Sequence, residues 1–275
     1  MSKDIPIFSG PMVRALLDGR KTMTRRILTA NYLRIWTGGL DHGGRYVKPQ
    51  AELFSAAMNN PRDWRMIDGR LCWVTDPAPH QRGAAMAQWM GRLPWSPGDR
   101  LWVRETCLVE SDYDVDIDYA PPFTDGRPVL YEECDDRGRY WRQPHYRATD
   151  PAPEMACDKH EGPCCHWKPA IDMPRWASRL TLIVTGVKVE RLQDISEADA
   201  RAEGMYKFHG LELWGHSNGT PGNRVGNDAR EAFAHLWDDL HHPGPHCWHA
   251  NPYVVALTFT VHKQNIDTLP KADAA

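Results

Sequence analysis

No run of about 18 apolar residues occurs anywhere in the 275-residue chain, so the sequence offers no hydrophobic membrane-spanning helix. The first residues also lack the charged-then-apolar pattern of a secretory signal. These two absences set the expectation of a soluble, cytoplasmic protein. Charge of one sign is missing too: 33 Lys and Arg stand against 36 Asp and Glu, leaving a net −3. A chain so balanced does not coat nucleic acid nonspecifically, although the average leaves room for a basic patch from Lys21, Arg25, Arg26, Arg175 and Arg179. The 7 cysteines are odd in number and irregularly spaced, which fits reduced thiols and excludes an evident disulfide framework. No internal repeat is present.

The chain does have 12 tryptophans. Trp36, Trp64, Trp73, Trp89 and Trp95 fall between residues 29 and 95, where little helical or strand periodicity accounts for them. They pack loops onto a core or stack on bases. Three stretches read as helices. Pro11 to Asp18 places Val13, Leu16 and Leu17 on one face, with Pro11 in the first turn and Gly19 as the stop. Ser196 caps a second, with Asp199 closing a capping-box-like pair, Gly204 ending it and Glu203 on its last turn. Asp228 to Leu240 is the third, with Asn227 as its expected cap and Ala232, Phe233, Leu236, Trp237 and Leu240 as its apolar face.

Strands are expected at 5–8, 22–28, 100–105, 129–132, 140–148, 180–189 and 253–261. Leu180 to Val184 is continuously apolar apart from Thr181 and reads as buried on both faces. Asp112, Asp114, Asp116 and Asp118 alternate with apolar and aromatic residues, as on an acidic edge strand. Short strands with about three helices describe a mainly β, α+β chain: a small barrel in a single domain over 1–275, with long loop insertions near 29–95 and 108–172.

The densest chemistry lies at Gly19-Arg20-Lys21-Thr22-Met23-Thr24-Arg25-Arg26, where a helix hands over to a strand. Alternation puts Thr22, Thr24 and Arg26 on one strand face and Met23, Arg25 and Ile27 on the other, with Lys21 in the turn. A hydroxyl, an amine and a guanidinium converge there. That is how an activated nucleophile or an anion pocket is assembled; basic residues after a helix and Thr/Arg alternation are also ordinary surface. Glu203, at a helix C-terminus, is electrostatically misplaced for stability alone.

With these segments in order, the chain resembles ASCH-domain proteins, a branch of the PUA-like β-barrel superfamily. The motif Gly-x-Lys-Thr-x-Thr-x-Arg of small bacterial N4-acetylcytidine amidohydrolases is matched by Gly19, Lys21, Thr22, Thr24 and Arg26. Their Gly-Asp-x-Leu-x-Val strand is matched by Gly98, Asp99, Leu101 and Val103, and their glutamate by Glu203. Larger ASCH-like proteins of phages and prophages are similar over most of the chain, through 8–11, 97–105 and 173–179.

The resemblance implies a hydrolase acting on an N4-acylated cytosine nucleoside or a related base, in the bacterial or phage-host cytosol, with no cofactor needed for catalysis. Thr24 would be the nucleophile and Lys21 the base, which requires a neutral amine with a pKa below about 10.4. Glu203 would orient Lys21 or pass the proton on, and Arg26 or a turn N–H would hold the oxyanion. Arg25, Thr22, Trp102, Arg104 and Glu105 complete the expected substrate- or anion-binding set. In the alternative, the same residues bind a modified nucleotide, RNA or DNA without chemistry, with Lys21, Arg25 and Arg26 on phosphate and Trp102 stacked on a base. Cys157, His160, Cys164, Cys165 and His166 form either a structural zinc loop or a plain His/Cys-rich loop, their spacing being tighter than usual for two ligand pairs. His241, His242, His246, Cys247 and His249 are further possible ligands.

Overall fold

The computed structural model describes residues 7–28, 34–37, 64–67, 70–74, 89–114, 121–134, 138–151, 167–216, 225–241 and 243–270. Among these, the elements in chain order are α1 (Gly10–Leu17), β1 (Met23–Ile27), β2 (Arg34–Thr37), β3 (Trp64–Ile67), β4 (Arg70–Val74), β5 (Trp89–Arg92) and β6 (Arg100–Trp102). They continue with β7 (Cys107–Asp114), β8 (Leu130–Cys134), β9 (Gly138–Tyr146), β10 (Thr181–Arg191) and α2 (Glu197–Ala202). β11 (Tyr206–Lys207), β12 (Trp214–Gly215), α3 (Ala229–His241) and β13 (Tyr253–His262) complete the order. The chain is mainly β with few helices, as expected. Among the described residues no helix is long and apolar enough to cross a membrane.

Two compact units are formed, each from separated segments. The first takes Met1–Lys21, Arg100–Ile183 and Thr260–Ala275; the second takes Thr22–Asp99 and Val184–Phe259. In the first unit α1 buries Met12, Val13, Ala15 and Leu16, while Gly19 adopts φ 72°, the left-handed stop expected of it. An antiparallel sheet of order β7-β9-β8 makes β7 an edge strand, so Asp112 and Asp114 lie on an edge as anticipated; Asp116 and Asp118 lie outside the described residues. Trp102, Cys107, Tyr146, Met173 and Ala177 form its buried cluster. Asn265 ties the 3-10 turn Arg175–Ala177 in place, its Nδ2 donating to the carbonyls of Arg175, Trp176 and Ser178 at 2.9, 3.0 and 2.7 Å.

In the second unit β1 pairs antiparallel with β13, Thr24 opposite Leu257 and Arg26 opposite Val255, and β13 neighbours β10. A second antiparallel sheet, order β2-β5-β4-β3, occupies the stretch between residues 34 and 92 that showed little periodicity. In its register Trp36 lies opposite Met90, Thr37 opposite Trp89 and Trp64 opposite Trp73, so four of the five tryptophans of that stretch belong to strands. Four-residue strands are too short to show a repeat by sequence alone.

Other differences are local. Of the strand expected at 5–8, the described part is one parallel bridge, Ile7 to Arg104. The cap of α3 is Asp228, whose Oδ1 accepts from the Glu231 N–H at 2.7 Å; the Asn227 amide instead donates to Glu231. Glu197 of α2 also accepts from the Ala229 and Arg230 N–H groups, satisfying that helix end from outside. Leu240, expected on the apolar face, is 66% exposed because α3 has run past the surface it packs against. Leu180, Thr181, Leu182 and Val184 are buried, as the continuous run implied, while Ile183 is half-buried.

Candidate functional site

β1 does not present an open Thr/Arg face. Thr24 and its neighbour Arg25 are both buried, at 6% and 5% exposed, because β13 covers the strand edge and α2 with α3 covers the side carrying Arg25. Thr22 and Arg26 are half-buried. Arg25 therefore sits where a lone guanidinium would be prohibitively costly, and the second unit supplies three carboxylates for it. Its Nε and Nη2 donate to Glu190 Oε1 at 3.0 and 2.7 Å, Nη2 also to Asp199 Oδ2 at 2.9 Å, and Nη1 to Glu203 Oε1 at 3.2 Å. The Phe233 ring of α3 lies 6.0 Å from its Cζ, and Lys188 forms an ion pair with Glu190 Oε2 at 2.5 Å.

Glu203 caps the C-terminus of α2 and Gly204 follows at φ 105°. The Thr22 N–H donates to the Ala202 carbonyl at 2.8 Å, fixing the start of β1 against the end of α2. These two links bring Glu203 beside the strand that carries Thr24, although 178 residues separate Arg25 from Glu203. A carboxylate poorly placed for the helix dipole is thus well placed for the Arg25 charge. Asp199, read in sequence as half of a capping box, has the Ser196 hydroxyl accepting from its N–H at 3.1 Å, while its carboxylate reaches Arg25. Glu190 and Asp199 meet Arg25 only through the pairing of distant elements, which no local sequence pattern signals. On the other flank, burial holds the His241 imidazole below its ordinary pKa, with His246 and Arg26 adding positive charge.

Lys21 belongs to the first unit and is 2% exposed, its N–H bound to the Ala15 carbonyl at 3.0 Å and its Nζ 5.7 Å from the centre of the Phe8 ring. Trp102 is 7% exposed in the apolar cluster, with Arg104 Cζ 4.8 Å from its ring centre, so packing occupies the indole. Glu105 is buried and bidentate to Arg179, Nε to Oε1 and Nη2 to Oε2, both at 2.9 Å. Burial pushes its carboxyl up while the Arg179 bonds and charge pull it down. Cys107, next in the core, has its thiol pushed up to about 11 by burial.

Cys157, His160, Cys164, Cys165 and His166 lie outside the described residues. Among the described residues, His241, His246, Cys247 and His249 included, no group of three or more His, Cys, Asp or Glu is arranged to hold a metal ion. Comparison with family models, curated proteins and solved structures returns no match.

Proposed function

We propose that this chain is an amidohydrolase of the ASCH type, in the phage and prophage branch of the PUA-like barrels, that removes the acyl group from an N4-acylated cytosine nucleoside or a related base. One observation carries the reading: the Thr22 N–H holds the end of α2 on β1, which brings Glu203 beside that strand, on the Arg25 face and across the strand from Thr24. Thr24, Lys21 and Glu203 are all buried, at 6%, 2% and 3% exposed.

In the proposed reaction Thr24 Oγ1 attacks the acyl carbonyl carbon while Lys21 takes the hydroxyl proton. Arg26 stabilises the oxyanion. Collapse breaks the C–N4 bond, and the proton goes to the leaving exocyclic amine by way of Lys21 or Glu203. Water then cleaves the threonyl ester, releasing the carboxylic acid and restoring the hydroxyl. Arg25 takes no part in binding substrate; its bonds to Glu190, Asp199 and Glu203 make it a positioning residue for Glu203. No cofactor enters the scheme, and zinc in the 157–166 segment would be structural.

The test is release of cytidine and acetate from N4-acetylcytidine. Thr24→Ala is expected to abolish it and Thr24→Ser to retain part of it. Full activity in the alanine variant overturns the nucleophile assignment. The competing reading, binding of a modified nucleotide or nucleic acid without chemistry, loses two of its contacts to burial, Trp102 to the core and Arg25 to three carboxylates. It prevails if the protein binds the nucleoside and releases nothing.

A further inference from the structure

A cavity of about 400 Å³ opens in the first unit at the start of α1, lined by Ser9, Arg14, Glu105, Thr106 and Arg147 among others. Its charges do not cancel. Glu105, the acidic residue in the wall, is already matched by the bidentate Arg179 behind it. Arg14 spends one donor, Nη1, on the Ala148 carbonyl at 2.9 Å, and this bond fixes the guanidinium while leaving its other N–H groups uncommitted among the described residues. Arg147 is exposed and makes no side-chain bond among the described residues. The Ser9 hydroxyl, at the cap position of α1, makes no capping bond either. Two guanidinium charges and two hydroxyls, on Ser9 and Thr106, therefore border one cavity in which the Glu105 carboxylate is already bound to Arg179.

We propose that this cavity binds a small phosphate monoester. Such an ester carries about −1.5 to −2 charge at neutral pH, which matches the two unbalanced guanidinium groups. Its non-bridging oxygens accept from Arg14, Arg147 and the two hydroxyls, and the first turn of α1 adds partial positive charge. The volume left beyond the phosphate takes the organic part of the ester. The cavity is independent of Thr24, and binding here neither requires nor implies deacylation.

Calorimetric titration of the full chain at pH 7.5 with ribose 5-phosphate, inorganic phosphate and ribose tests it. Ribose 5-phosphate is expected to bind more tightly than inorganic phosphate, and ribose not to bind. Arg147→Gln, at an exposed position that leaves the fold intact, should weaken the ester about tenfold or more, while Arg147→Lys recovers part of the loss. Thr24→Ala should bind as the unaltered protein does, which separates this test from that of the proposed reaction. The proposal is overturned if ribose 5-phosphate fails to bind at millimolar concentration, if inorganic phosphate binds as tightly, or if Arg147→Gln leaves the affinity unchanged.

Discussion

At the scale of single residues, Arg25 shows how burial decides what a charge can do. Its side chain is fully buried and Glu190 and Glu203 are 4% exposed, so the group is held by its ion pairs and cannot reach out to a phosphate. Removing the cation takes from the buried Glu190 and Glu203 the guanidinium they share. Arg25→Gln is therefore expected to cost about 3–5 kcal/mol of stability in denaturant unfolding, far more than loss of the exposed Arg175–Asp267 pair, which should cost under about 1 kcal/mol. Equal effects of the two substitutions would show that the Arg25 cluster is solvated. Cys107 gives a second prediction. With its thiol pushed up to about 11 and its side chain buried, it should stay unmodified by iodoacetamide at pH 8 in the folded protein, as read by peptide mass mapping. Half-buried Cys247 should be modified before Cys107.

At the scale of elements, helices α1 to α3 and strands β8, β9, β10 and β13 follow from periodicity and caps. Their caps differ in detail. For α3, Asp228 provides the bond that Asn227 was expected to make, one position along, because the helix begins a residue later and Asn227 turns to Glu231. Asp228→Ala should lower stability by about 1 kcal/mol, and Asn227→Ala by less, measured by thermal unfolding. The reverse order would return the cap to Asn227. Strands β2 to β5 were missed because each spans only four or five residues, and a period of two cannot be told from chance over so short a run. The tryptophans in that stretch were the available signal, and the register of β3 and β4 pairs two of them.

At the scale of the whole molecule, acid stability follows from carboxylates held low by arginine. The Arg127 guanidinium lowers Asp125 to about 2 by hydrogen bonding, and it lowers Asp150 against the opposing effect of burial. Both folded-state values lie below the unfolded ones. The stability they contribute is present above about pH 4 and is lost as pH falls toward 2. Glu105 works in the opposite sense: its carboxyl is raised by burial, so folding disfavours its ionised form and its contribution improves on acidification. Asp125 is more than half exposed, which screens its share. Melting temperature should accordingly fall between pH 4 and 2, and Arg127→Met should flatten that fall. An unchanged slope in the variant would place the acid-sensitive carboxylates elsewhere.

The sequence by itself determined the element types wherever a local pattern was long enough, and the turns at Gly19 and Gly204. These are properties of neighbouring residues: spacing on a helix face, alternation on a strand, a glycine where φ is positive. Only the tertiary structure decided that Thr24 and Arg25 of β1 are buried, that Arg25 is neutralised inside the second unit, and that Arg14 and Arg147 border one cavity. A buried charge is matched by whichever opposite charge the fold brings within about 3 Å of it. For Arg25 those partners lie 165 to 178 residues away, a separation across which no local pattern carries information.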